Sequence, residues 1–584
     1  MRIHRKLLLA LVLATSAGVY AWAAPIHAVR AQHGMVVSQH ELASIAGVDT
    51  MTKLGGNAVD AAVATGFALA VVHPQAGNLG GGGFMLIRLA DGKFHFVDFR
   101  EKAPEAATRN MYLDAQGNVI PDASLVGYKA IAVPGSVAGL VYAQRKYGKL
   151  PLKKVMAPAI RLATEGFALA WEDTEDLKNP KYHLGEFAES KRVFQRGGRF
   201  YQPGEILQQP ELAHTLERIA KNPDEFYRGA MAKELAAFVQ TGGGLLTEKD
   251  LAAYEVKERE PVHGTYRGLD IYSAPPPSSG GITLIELLNI LEGYDLKQFG
   301  AGSAEAIHLT VEAFQRAFFD RAEFLGDPDF SKVPVAQLID KKYAAAWRES
   351  LDPNKASPAA LKRPAIFTEL ERYAQSHQRV TGPESHSTTH YSVVDTEGNA
   401  VAVTTTLNES FGSAVTVEGL GFLLNDEMDD FSSKAGVPNM FGLIQGEANA
   451  IGPGKRPLSA MAPTIVTSNG KLLMVLGSPG GPRIITVVAN VLIGVVDYGL
   501  DIQQAVNAPH FHQQWQPDWI YTERVGFSPD TLKLLREMGH QFAVKDTLYP
   551  NGFWGDAECI AINSKTGERL GASDPRHNGK AVGF

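Results

Sequence analysis

The feature that most limits what this chain can fold into is a strand-turn-strand unit in its last third. It consists of HYSVVD (390–395), the turn residues Thr396, Glu397, Gly398 and Asn399, and AVAVTTTL (400–407). Two runs of β-branched and apolar residues around a Gly-Asn turn predict a hairpin. The hairpin follows a polar stretch, residues 371–387, whose Gly382 and Pro383 mark an exposed loop suited to backbone cleavage. Thr388 and Thr389 stand at the seam. An internal threonine hydroxyl is a weak nucleophile, whereas a threonine at a chain terminus has its own α-amine, of reference pKa roughly 7.7 to 8.0, as general base. A cut between Ser387 and Thr388 supplies that amine. Placing Asp395 opposite Ala400 makes facing positions sum to about 795, give or take one, so that Thr388 faces Leu407 with Thr406 and Asn408 close by. Thr404, Thr405 and Thr406 also suit a plain strand without chemistry.

The 584 residues, 45% of them hydrophobic, suffice for a large buried core, and the length alone suggests about four domains. A net charge of -7 with both signs interspersed argues against nucleic acid as a partner. The single cysteine, Cys559, excludes an intrachain disulfide and reads as a small buried apolar residue. At the start, Arg2, Arg5 and Lys6 precede an apolar run over residues 7–22 that closes on Ala21-Trp22-Ala23. This is the pattern of a signal peptide occupying residues 1–23. The run is short for a spanning helix, so the expectation is a periplasmic or secreted protein with no stable membrane span, an uncleaved anchor being the alternative.

Residues 41–72 carry Ala, Val and Leu at helical spacing and predict one long or two consecutive buried helices. The four glycines Gly80 to Gly83 follow, a weak phosphate-loop signal because no strand precedes them. Residues 84–89 and 93–99 alternate around Asp91-Gly92 as a hairpin ending at Arg100 and Glu101. Residues 130–372 read as mostly helical, with no internal repeat. A third hairpin, 464–467 with 472–477, ends in Ser478-Pro479-Gly480-Gly481-Pro482 before an apolar helix over 484–496. Glycine amides at a helix N-terminus can donate to an oxyanion, and a tight turn with no chemistry fits the same residues.

The run TTHYSVVD at 388–395 resembles the start of the small subunit of γ-glutamyltransferases, self-cleaving N-terminal-nucleophile hydrolases. The likeness extends, in order, through DFREKAP (98–104), PPPSSGGI (275–282), GDPDF (326–330), NDEMDDF (425–431), KRPLSAMAPT (455–464), GSPGG (477–481) and GASDPR (571–576). It implies an α+β fold, a four-layer αββα sandwich built by two subunits cut from one precursor, 24–387 large and 388–584 small. It implies Thr388 as nucleophile, Thr406 as the partner of its hydroxyl, and Gly480 and Gly481 as oxyanion donors. Arg100 and Ser459 match the family's binders of the donor carboxylate, while Asn408, Glu427 and Asp430 match its ammonium binders, as a zwitterionic γ-glutamyl head group requires. The expected substrates are γ-glutamyl donors such as glutathione with amino-acid or peptide acceptors, and no cofactor is implied.

Two positions depart from the common family pattern. Glu427 replaces a frequent glutamine and can hold an ammonium at least as well. Ala460 replaces a second serine in the carboxylate subsite, and the missing hydroxyl costs about 1 to 3 kcal/mol if its partner is left unpaired. The loop 432–441 resembles a lid, with Phe441 as its covering aromatic residue. His510 and His512 would share one face of a strand, but no third ligand stands near them, and the family uses no metal in catalysis. HExxH, GxSxG and GxxxxGK[ST] are absent. Two alternatives remain: a glutaryl or cephalosporin-type acylase of the same fold, disfavoured by Asp430, and a non-catalytic secreted binding protein, disfavoured by the intact Thr388, Thr406, Gly480 and Gly481.

Overall fold

The two regions of strongest alternation lie side by side in one seven-stranded antiparallel sheet. A computed structural model describes residues 27–368, 370, 387–434, 446–543 and 554–584. From edge to edge this first sheet runs Lys580–Gly583, Met35–Ser38, Ser387–Val394, Ala400–Asn408, Gly82–Arg88, Phe94–Phe99 and Lys257–Arg259. The second sheet, also seven-stranded and antiparallel, runs Val29–Ala31, Arg569–Ala572, Cys559–Ile562, Lys471–Leu476, Thr464–Ser468, Leu269–Ser273 and Val262–Tyr266.

Period-2 alternation divides the first sheet between two cores. Tyr391, Val393, Val401 and Val403 face the helices Glu41–Thr52 and Ala58–Val72, while Val394, Ala400 and Ala402 face the second sheet. That sheet's far side is covered by Gly280–Leu291, Ala304–Phe324 and Arg483–Val496. The order is therefore helix, sheet, sheet, helix, the four-layer α+β sandwich. The chain before Thr388 and the chain from Thr388 onward each supply strands to both sheets.

Residues 41–72 form two helices, the second started by a capping box in which Asn57 and Asp60 satisfy each other's backbone amides. Residues 130–372 differ from expectation: the strands Lys257–Arg259, Val262–Tyr266 and Leu269–Ser273 lie inside a stretch read as mostly helical. The four glycines are explained by packing. A Cβ on Gly81 would lie 2.0 Å from the Thr406 carbonyl oxygen, and one on Gly83 2.3 Å from that of Thr404. They let one strand approach its neighbour closely, and the phosphate-loop reading falls away. The signal segment 1–23 lies outside the described residues. No helix among the described residues is long and apolar enough to cross a membrane.

Candidate active site

The Thr388 hairpin has a register one short of the expected sum: Thr388 faces Thr406, Thr389 faces Thr405, and Val394 faces Ala400. Only Ser387 and Asn408 keep the expected sum, because the ladder shifts between Ser387 and Thr388. Asp395 causes the difference. Its Oδ1 accepts the Glu397 and Asn399 amides at 2.9 and 3.0 Å, and its Oδ2 accepts the Ala58 amide at 2.9 Å, so it leaves the ladder to close the turn and start a helix.

This register places the Thr388 hydroxyl 3.4 Å from Thr406 Oγ1, to which it donates. The Asn408 amide donates to the same oxygen at 2.8 Å, fixing it in place. Asn408 has φ +86°, a left-handed conformation uncommon for a side-chain-bearing residue. The ladder irregularity and the unusual φ thus flank the bond proposed for cleavage, and bulges of this kind recur beside active sites.

Arg100 follows the strand Phe94–Phe99 and belongs to the same end of the sheet. Thr388 pairs with Thr406, Thr406 with Gly82, and Gly83 with Phe99, which sets Arg100 about three strand spacings, roughly 14 Å, from Thr388 along the backbone. A guanidinium side chain and a γ-glutamyl group can span that gap together. Arg100 is fully buried, which removes the reading of a surface arginine. It forms ion pairs with Glu427 and Asp430, lies 3.5 Å from Glu101, and donates from Nε to the Pro457 carbonyl at 3.2 Å. Burial opposes its charge, but the facing Glu427, Asp430 and Glu101 prevail and raise its pKa.

Glu427 and Asp430 lie on a 3₁₀ turn, Glu427–Asp430, held against the glycine run because Asn425 donates to the Gly80 carbonyl at 2.7 Å and accepts the Glu427 amide at 3.0 Å. Asn408 donates to the Asp426 carbonyl at 3.1 Å, joining that turn to the hairpin. Ser459 is buried, with its Oγ accepting the Met461 amide at 3.1 Å and its carbonyl accepting the Ser279 amide at 2.7 Å, so PPPSSGGI and KRPLSAMAPT dock on each other beside Arg100. Ala460 packs into the core there. Gly480 and Gly481 have φ of +126° and +52°, and their turn starts where a Cβ on Gly477 would collide with the His390 ring. The turn therefore abuts the strand Ser387–Val394. His390 bonds Thr404 at 2.8 Å and is pushed down to about 3 by burial, so it stays neutral.

Glu101 is the residue that sequence reasoning missed. Burial raises its carboxyl to about 7, against the pull of Arg100, and burial likewise raises Glu427. A donor ammonium held beside Glu427, as the family resemblance implies, needs these carboxylates ionised. The KM for a γ-glutamyl donor should therefore fall as pH rises from 6 to 8, and Glu101→Gln should flatten that fall. In the resting protein the sign is opposite: a carboxyl with its folded pKa raised from 4.5 to about 7 stabilises the fold fully below 4.5 and loses that contribution as pH rises to about 7. Thermal melts across that window should show the loss in wild type and a smaller one in Glu101→Gln.

A cavity of about 210 Å³ reaches Thr388 on another side, lined by Gln39, Trp171, Asp176, Asp556 and His577. Arg100 does not line it. His512, considered above as a ligand with His510, is occupied by Thr486 at 2.9 Å and Gln514 at 2.8 Å. Cys559 is buried and its thiol is pushed up to about 12 by burial, which makes it unreactive. Phe441 lies outside the described residues.

The Gamma-glutamyltranspeptidase family model matches residues 43–584. The glutathione hydrolase proenzyme of Escherichia coli (strain K12) is 51% identical over 552 residues, covering 94% of this chain and 91% of that protein. The glutathione hydrolase proenzyme of Pseudomonas sp. (strain A14) is 49% identical over 571 residues, covering 95% of each. Among solved structures, cephalosporin acylase from Bacillus halodurans superposes with a TM-score of 0.81 at 27% identity, covering 97% of this chain and 98% of that one.

Proposed function

The chain belongs to the gamma-glutamyltranspeptidase family, and we propose that it is a glutathione hydrolase and γ-glutamyltransferase made as a proenzyme, with its cut between Ser387 and Thr388. The observation that carries this reading is the Thr388–Thr406 pair at an irregular point of the ladder, at the same sheet end as a buried arginine ringed by carboxylates. The higher identity to glutathione hydrolases than to the cephalosporin acylase supports it over the acylase alternative.

In maturation, the Thr388 hydroxyl attacks the Ser387 carbonyl carbon, the C–N bond breaks, and Ser387 becomes an ester on Thr388 Oγ1. Water hydrolyses that ester, freeing a Ser387 carboxylate and restoring the Thr388 hydroxyl beside the α-amine that the C–N cleavage released. In turnover the amine takes the hydroxyl proton, Oγ1 attacks the γ-carbonyl of the donor, and Gly480 and Gly481 amides receive the oxyanion. The departing amine takes a proton from the Thr388 ammonium, leaving a γ-glutamyl ester. Water or an amino-acid or peptide amine then releases the γ-glutamyl group. Residues 24–387 and 388–584 stay together as a heterodimer, their strands interleaved in both sheets, and act in the periplasm or outside the cell after loss of residues 1–23.

Donor binding is an exchange of ion pairs. The incoming carboxylate takes Arg100 donors from Glu427 and Asp430, which turn to the incoming ammonium with Asn408, while Ser459 adds a hydroxyl to the carboxylate. Asp430→Asn should still be processed but lose about 2 to 4 kcal/mol of donor transition-state binding, roughly 30- to 1000-fold in kcat/KM. Product analysis with glutathione, with and without a dipeptide acceptor, and with a glutaryl donor as comparison, tests this. Wild-type kcat/KM in the mutant, with the glutaryl donor equally good, would install the acylase reading instead.

A further inference from the structure

Far in sequence from every residue assigned above, the helix Ala304–Phe324 carries His308 and Glu312 one turn apart, on the same face. His540, just past the helix Pro529–Glu537, meets them, and the three ligand-type atoms lie within 4.8 Å of one another, all buried. The apolar contacts of Ala304, Ile307 and Val311 with Ile520 and Leu535 hold the two helices together at this point. We propose that His308, Glu312 and His540 form a binding site for one divalent transition-metal ion with the preferences of zinc.

The tautomers suit it. His308 Nε2 lies 2.8 Å from the Asp352 carbonyl oxygen, which can only accept, so Nε2 carries the proton and Nδ1 offers a lone pair. An imidazole oriented by a backbone carbonyl behind it is the usual support for a metal-ligating histidine. His308 Nδ1 and His540 Nε2 are 2.7 Å apart, sharing one proton. An ion bound at about 2.0 to 2.1 Å from each nitrogen would replace that proton and move the rings apart by a fraction of an ångström.

A second observation points to a ligand at the same place. A cavity of about 30 Å³ adjoins the cluster, lined by Glu312, Gln315, Gln513, Asp518 and His540, which exceeds the space one water needs. Gln315, 2% exposed, turns its Oε1 to no hydrogen-bond partner, while its Nε2 donates to Asp518 at 3.0 Å. The cavity thus has room for a metal-bound water and an acceptor to receive it. The charges around the cluster are those of Glu312, of Arg316, which pairs with Glu312 at 2.7 Å, and of Asp518, whose carboxyl burial raises. Because His308 and Glu312 precede the proposed cut and His540 follows it, the ion would also pin the two subunits together. That role rests on the cleavage proposed above, whereas the binding itself does not.

The test is equilibrium binding of zinc chloride alone to the chelator-treated, purified full protein, with cobalt substitution as a spectroscopic check. One zinc per chain is expected, with a raised Tm and the visible absorption of four-coordinate cobalt. His540→Gln and Glu312→Gln should each weaken zinc binding at least about 100-fold and leave γ-glutamyl turnover unchanged. Absence of stoichiometric zinc and of the cobalt spectrum in wild type would overturn the site even if the variants fail to fold. Binding retained at wild-type strength in folded variants would overturn it equally. Loss of turnover without loss of zinc would leave the Thr388 assignment standing and remove this one.

Discussion

Thr388→Ala should remain a single chain and should show no γ-glutamyl turnover. Both effects follow from one atom. In the proposed mechanism the hydroxyl attacks the Ser387 carbonyl once, during maturation, and the donor's γ-carbonyl at every cycle afterwards. Removing it deletes the nucleophile outright, so the loss reaches the detection limit of the assay, several orders of magnitude for a covalent catalyst. The fold should survive, because Thr388 stands on a strand whose ladder to Ala400–Asn408 is made by backbone groups. Gel analysis and a circular dichroism spectrum of the same sample check the two halves together. Processing in Thr388→Ala would transfer the nucleophile role elsewhere, with the adjacent Thr389 as the next residue to examine.

Arg100→Lys should strongly impair donor binding while leaving the nucleophile intact. Lysine keeps the positive charge but offers a single ammonium where the guanidinium meets Glu427, Asp430, Glu101 and the Pro457 carbonyl in a plane. The donor carboxylate then loses its two-pronged contact, and a KM increase of roughly 100-fold, about 3 kcal/mol, is expected. Because Arg100 is completely buried among carboxylates, the Tm should fall as well. A surface position would have spared stability. Autocleavage should persist, since the role proposed for Arg100 is in donor binding alone. An unchanged KM in a processed Arg100→Lys enzyme would remove Arg100 from that subsite and leave Ser459 as its carboxylate contact.

The parts of the fold legible in sequence were those where alternation is strong and the turn residues are specific. The hairpins at 84–99, 388–407 and 464–477 are of that kind. Their register was less legible: Asp395 reads as a strand residue, yet its carboxylate closes the turn and starts the helix Ala58–Val72, a contact across 337 residues that local pattern cannot carry. The strands Val262–Tyr266 and Leu269–Ser273 escaped because Gly264 and Asp270 interrupt short runs embedded among helices. The candidate site rests on motif likeness more than on local chemistry, since Arg100, Asn408, Asp430 and Ser459 come from four separate segments. Glu101 was overlooked because an Arg-Glu neighbour pair reads as an exposed salt bridge. Only burial turns it into a carboxyl held near neutrality.

The proposed cut between Ser387 and Thr388 makes Thr388 a catalytic terminus. N-terminal sequencing of the smaller fragment of the purified protein tests it most directly. The expected result is two fragments of about 40 and about 20 kDa, the smaller beginning Thr-Thr-His-Tyr-Ser, with threonine supplying both nucleophile and amine. An uncut chain, or a small fragment beginning at any other residue, would contradict it.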